Sequence, residues 1–199
     1  MDSMIHSNVE RAWTMPIRND RAQWGVVSQL LHWLIAIMVF AQIALALIFK
    51  QLRPGPELFA LIGAHKSLGL AILVVVVIRL IWRWFNPVPD LPSTLRPYER
   101  FLARFTHGAL YFLLIAMPLT GWFGSAASGF TIRWFNLFEV PNPIAKDVSL
   151  GHALYLTHSI LAVALGVILV LHIAAAIRHH FVLKDNTLRR MLPGVGPRP

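Results

Sequence analysis

With 199 residues, 56% of them hydrophobic and 14% charged, and a mean hydropathy of +0.60, the chain has the composition of an integral membrane protein and not of a soluble enzyme. Its formal charge of +9 gathers in the connecting segments instead of forming one basic face, which speaks against nucleic acid as a partner. Cysteine is absent, which excludes disulfides, thiolate-ligated haem, cysteine-held iron–sulfur clusters and C-x-x-C-H haem attachment, so any redox centre must rest on the nine histidines or bind without covalent links.

Residues 1–24 are polar, carry Arg11, Arg18 and Arg21, and show no apolar core ahead of a small-residue cleavage site. They read as a mobile cytoplasmic tail ending at an interfacial Trp24, and not as a signal peptide. Residues 25–183 hold four apolar runs long enough to span a bilayer, at about 27–49, 58–85, 101–123 and 150–183. The first closes on Lys50, Arg53, Pro54, Gly55 and Pro56. The second carries His65 and Lys66 early and Arg79 and Arg83 late, and the connector NPVPDLPSTLRPYER after it is too rich in proline to be a helix. The third has His107 near its start and Pro118 inside it, where a kink or loosened last turns are expected. A loop from Gly124 to about Ser149, with Trp134, Phe135 and Phe138, is expected to lie on the membrane surface and cap what is below. The fourth run ends at His179 and His180, expected to face headgroups, before a basic cytoplasmic tail at 184–199.

Basic residues set the orientation. Twelve lie on the side that holds both termini, and five (Lys50, Arg53, Lys66, Arg133, Lys146) lie on the other. The positive-inside rule then predicts an all-α, integral membrane four-helix bundle with both termini cytoplasmic. Six tryptophans, Trp24, Trp33, Trp82, Trp84, Trp122 and Trp134, fall near the proposed boundaries, as an aromatic belt would.

Two histidines of the fourth run organise the site. His158 and His172 are fourteen residues apart, which on a helix brings them to within about 40° of one direction and about 21 Å apart along the axis. Intramembrane histidines are costly and point to function. With alternating helix directions, His32 shares its depth with His172 and His65 shares its depth with His158. Two neutral imidazoles facing one another across a bundle could hold an iron porphyrin, or another metal, from above and below. One turn after the four histidines stand Ala36, Gly69, Ala162 and Ala176, small enough to leave room for a flat macrocycle. His107 competes as a ligand for the inner site or as a contact to a propionate or a quinone carbonyl. Arg79 and Lys66 are the candidate partners for propionates at the inner and outer site. No Asp or Glu stands mid-span, so the carboxylate relay of a pump is missing.

The stretches LLHWLIA at His32, GAHKSLG at His65, VIRLIWRWFNPVPDLP, AMPLTGW and LHIAAAIRHHFVLKDNTLRRMLP, in this order from about Gln23 to Pro193, resemble the bacterial cytochrome b561 family. The resemblance implies a four-helix protein of the bacterial inner membrane with two haem b groups, whose axial ligands fall on His32, His65, His158 and His172. It implies electron transfer between the quinone pool, with ubiquinone as substrate, and a periplasmic donor. Some members are similar to superoxide oxidases, which take an electron from superoxide and reduce ubiquinone. The alternative reading is a haem-bearing anchor subunit of a larger oxidoreductase such as a hydrogenase or formate dehydrogenase.

Overall fold

The computed structural model describes residues 16–92 and 95–195. Of the expected tails, residues 1–15 and 196–199 lie outside the described residues. Four helices, α1 (Val26–Phe49), α2 (Pro56–Trp84), α3 (Pro97–Ala127) and α4 (Val148–Phe181), are each long and apolar enough to cross a membrane. Proline at the first position starts α2 and α3, where its missing N–H costs no helical bond. The Asp147 carboxylate starts α4 by accepting from the Leu150 N–H at 3.0 Å. Helix α3 continues through Pro118 to Ala127. Valines of α4 such as Val163 and Val170, 70% and 66% exposed, are sensible only if lipid is their solvent.

α1 packs on α2, α2 on α3 and α3 on α4, whereas neither α1 nor α2 runs in close backbone contact along α4. What meets α4 across that seam at mid-depth is an apolar layer: Ile35 and Val39 of α1 and Ile72 and Val76 of α2, with Leu114 and Ile115 of α3 and Leu169 of α4 packed against them. Seen along the bundle, the core is therefore thin and central, with a polar level above it and another below.

The connection between α3 and α4 differs from the flat surface loop the sequence suggests. It folds into an antiparallel hairpin, β1 (Ile132–Trp134) and β2 (Phe138–Val140), paired Ile132 to Val140 and Trp134 to Phe138. Phe135 and Asn136 take positive φ values of 46° and 61°, and the Trp134 carbonyl accepts from the Leu137 N–H at 2.9 Å. The hairpin is pinned on α2 at Ser67: the Trp134 indole donates to the Ser67 carbonyl at 3.1 Å and the Phe135 N–H to the Ser67 hydroxyl at 2.9 Å.

The opposite end, where the segments around Asn19 and Arg190 meet, is stitched by side chains reaching backbone. Asn19 is buried; its Oδ1 accepts from the Gly25 N–H at 2.9 Å and the Ser28 hydroxyl at 2.7 Å, and its Nδ2 donates to the Pro87 carbonyl at 3.0 Å. Residues 16–24 are thus a strap across the ends of α1 and α2 rather than a loose tail. Gly25 is required by the same turn, because a Cβ there would lie 2.4 Å from the Ile17 carbonyl oxygen. After α4 the chain turns back, and Gln29 and Trp33 of α1 donate to the carbonyls of Arg190 and Met191 at 2.9 and 2.7 Å. His179 helps to make that turn instead of facing headgroups, pairing with the Asp185 carboxylate at 2.5 Å. Burial would raise the Asp185 carboxyl, but hydrogen bonds from His179 and Thr187 win and hold it below its ordinary value.

Removing the Asn19 side chain leaves the Gly25 N–H buried without its acceptor. Asn19→Ala is expected to cost about 2 kcal/mol, read as a lower unfolding temperature of the purified protein. Asn19→Asp should recover little, because a carboxylate keeps the acceptor but loses the Nδ2–H donor and sets a buried anion against the Pro87 carbonyl.

Candidate cofactor site

The seam between α4 and the α1–α2 pair holds the histidines. Toward the terminal end, the rings of His32 (α1) and His172 (α4) face one another with centroids 6.2 Å apart and planes 63° apart. Toward the hairpin end, His65 (α2) and His158 (α4) do the same at 6.4 Å and 73°. These are the two pairs that depth alone matched. The apolar layer of Ile35, Val39, Ile72 and Val76 lies between them in sequence and in space.

Each pair is fixed by its surroundings. His158 Nδ1 sits 2.9 Å from the Met117 carbonyl and 3.3 Å from the Thr120 hydroxyl. A ring nitrogen that donates to a carbonyl leaves the other, Nε2, with a free lone pair for a metal. Gly121 gives that ring its space: a Cβ there would come within 3.2 Å of His158 Cε1. Phe49 packs edge-on against His65 at 5.2 Å, and Trp33 against His32 at 5.4 Å. The Gln42 amide donates to the His65 carbonyl at 2.9 Å.

His107 (α3) joins the terminal-end cluster, its ring centroid 5.5 Å from that of His172, which also faces His32. Arg79 is engaged by protein: Nη1 donates to the Ser28 carbonyl at 2.5 Å and Nε to the Tyr111 hydroxyl at 3.1 Å, while Arg83 lies over the Tyr111 ring. Lys66 donates to the buried Ser125 hydroxyl at 2.8 Å and rests over Phe130. Both cations flank the histidine levels and already hold protein partners.

Two imidazoles ligating one metal ion from opposite sides, at about 2 Å per metal–nitrogen bond, keep their centroids about 6 Å apart. Both observed separations satisfy this. A pair supplies only two ligands, however, and among the described residues no group of three or more His, Asp or Glu gathers to hold a bare ion. A metal between such a pair would need further ligands, and a porphyrin supplies four.

The family model described as "Prokaryotic cytochrome b561" matches residues 23–194, which includes all four paired histidines. The chain belongs to this family. Among cytochrome b561 relatives, it is 36% identical to "Cytochrome b561 homolog 2" of Escherichia coli (strain K12), over 89% of this chain and 95% of that protein. It is 32% identical to the "Probable superoxide oxidase CybB" of Yersinia pestis over 82% and 92%. "Cytochrome b561 homolog 1" of Escherichia coli (strain K12) matches at 26% over 82% and 93%. As a prokaryotic cytochrome b561 the chain is a multi-pass bacterial membrane protein of electron transfer, and b-type haem is the cofactor that the family implies. The donor set fits that group: imidazole nitrogens, paired across the seam, with Arg79 and Lys66 close by.

Sequence reasoning missed the residues that orient these rings. Met117 acts through a backbone carbonyl, which carries no sequence signal. Gly121 could have been found, since it stands in AMPLTGW one turn after the carbonyl it helps to expose. A Cβ at Gly69 would meet the Gln42 amide nitrogen at 3.2 Å.

Gly121→Val is expected to push the His158 ring off its carbonyl and lower the haem content of the purified cytochrome b561. Gly166→Ala should leave it unchanged, because nothing lies within 4 Å of a Cβ at Gly166. A pyridine haemochrome assay reads both.

Proposed function

We propose that the chain is a dihaem cytochrome that carries electrons across the cytoplasmic membrane between a periplasmic reductant, superoxide included, and the quinone pool. The observation that carries this reading is the pair of facing histidine couples at two depths, joined by α4 and separated by one apolar layer. His32 and His172 would hold one haem and His65 and His158 the other. A b-type haem held between two imidazoles would supply one-electron transfer there.

The protein's own part is positional and electrostatic. α4 sets the spacing of the two levels at fourteen residues, about 21 Å. Met117 and Thr120 hold the His158 ring, and the hairpin covers the His65 level through Ser67. By sequence, twelve basic residues fall on the side of the termini against five on the other, which supports a cytoplasmic terminal end by the positive-inside rule. The hairpin end is then periplasmic, where Lys66, Arg133 and Lys146 would draw in an anion. The match to a probable superoxide oxidase supports superoxide as that anion. Two superoxide ions would each give up one electron and leave as dioxygen, and one ubiquinone would take the two electrons with two protons. His107 and the Arg79–Tyr111–Arg83 group border the terminal-end pair, where a quinone carbonyl or a propionate would find donors.

The deciding experiment is haem quantification with reduced-minus-oxidised spectra. The wild-type protein should carry two low-spin b-type haems. His65→Ala and His158→Ala should each remove one equivalent, and His32→Ala and His172→Ala the other. Loss of a full equivalent in His107→Ala with both haems kept in His32→Ala would reassign the terminal-end pair. Stopped-flow mixing with superoxide and then ubiquinone checks the donor and the acceptor, and a protein reduced by superoxide no faster than by other reductants would remove it as the donor.

A further inference from the structure

A groove with a volume of about 370 Å³ lies between the terminal-end turns of α1 and α2, and none of the paired histidines lines it. Its apolar walls are Val27 and Leu31 of α1, Ile78 and Ile81 of α2, and Phe85 just past the last turn of α2. Ile81 and Phe85 are 54% and 77% exposed, which at the end of a spanning helix means that they face lipid. Trp82 and Asn86 also border the groove, but the Trp82 indole donates to the Ser28 hydroxyl at 3.1 Å and the Asn86 amide to the Trp82 carbonyl at 2.9 Å. Arg18 is the one charged residue of the lining. Its side chain makes no hydrogen bond or ion pair among the described residues. The acid nearest to it in sequence, Asp20, commits its carboxylate to the N–H groups of Ala22 and Gln23 at 2.6 and 2.7 Å. The backbone that presents Arg18 is fixed on both sides: the Pro16 carbonyl accepts from the Val26 N–H at 2.9 Å, and Asn19 is buried.

We propose that this groove binds an anionic phospholipid, with an acyl chain along Leu31, Ile78 and Ile81 and the phosphate on the Arg18 guanidinium. A phosphodiester offers two oxygens to the fork of N–H donors that a guanidinium presents. The groove opens where α1 begins and α2 ends, which is the depth at which a spanning helix meets lipid headgroups. A neutral quinone would cover the apolar walls as well, but it would leave Arg18 without a counter-ion. The lipid would bridge the strap and α2, adding to the bond from Asn19 to the Pro87 carbonyl. A ligand that binds only the folded bundle stabilises it.

The test is native mass spectrometry of the purified full chain given equal amounts of dioleoyl phosphatidylglycerol and dioleoyl phosphatidylcholine, with thermal unfolding measured in each lipid. The wild-type protein should retain phosphatidylglycerol in preference by about fivefold, the order that one basic residue contributes at an anionic surface. It should also unfold at a higher temperature in that lipid. Arg18→Gln should bring the two lipids to equal retention and remove the difference in unfolding temperature. The variant should fold, because the Arg18 side chain has no partner among the described residues. Arg21→Gln removes a neighbouring exposed cation that does not line the groove, and should keep the preference. Ile78→Trp, which fills the groove, should lower the retention of both lipids. A preference that survives Arg18→Gln, or that falls as far in Arg21→Gln, overturns the proposal, the second result by showing a general attraction to positive charge. Retention unchanged in Ile78→Trp would place the lipid elsewhere and overturn it too. Displacement of phosphatidylglycerol by an equal amount of ubiquinone would assign the groove to a quinone instead. None of these readouts depends on which histidines hold haem.

Discussion

Four imidazoles held inside an apolar bundle are the constraint on which everything else depends. Each brings polar nitrogens to a depth where water cannot serve them. The bundle meets that cost by giving up close packing between α4 and the α1–α2 pair, so that the rings meet in twos across a seam. α4 contributes one ring to each couple, so its placement against α3 sets both levels at once. The loops follow from this. α3 must run past the His158 level to present Met117 and Gly121 to that ring, which leaves a connection long enough to fold back as a hairpin over Ser67.

The two ends of the bundle solve different problems. At the terminal end Asn19 ties the start of α1 to Pro87, and Trp33 of α1 reaches Met191, so side-chain bonds to backbone close the end without a continuous apolar core. At the hairpin end the closure is a small lid whose aromatic side chains remain largely exposed while its indole N–H is spent on α2.

The helices and the pairing of the histidines were legible because both are periodic properties. Apolar length announces a span, and fourteen-residue spacing on one helix announces two rings on one face whatever the neighbours are. The features that escaped depend on backbone atoms or on single side chains. The hairpin turn uses Phe135 and Asn136 at positive φ, with no glycine to mark it. Tryptophans at helix ends look like an interfacial belt, but Trp33, Trp82 and Trp134 use their N–H groups as cross-links. Residues 16–24 look like a tail because a strap held by one asparagine has no periodicity to detect. Gln42 looks like any polar residue in a span until the carbonyl it reaches is seen.

The apolar layer between the two histidine levels has an electrical consequence. The buried side chains of that layer, Ile35, Val39, Ile72 and Val76, are all aliphatic and offer no hydrogen-bonding groups of their own to protons or water. If electrons cross it, charge moves unaccompanied through about 21 Å of a hydrocarbon core about 30 Å thick. Each crossing then samples a large part of the membrane voltage, up to about 2.3 kcal/mol per 100 mV for a full traverse. Were the flow inward, as proposed, it would run against an inside-negative potential, so an energised membrane would throttle this route and a depolarised one would release it.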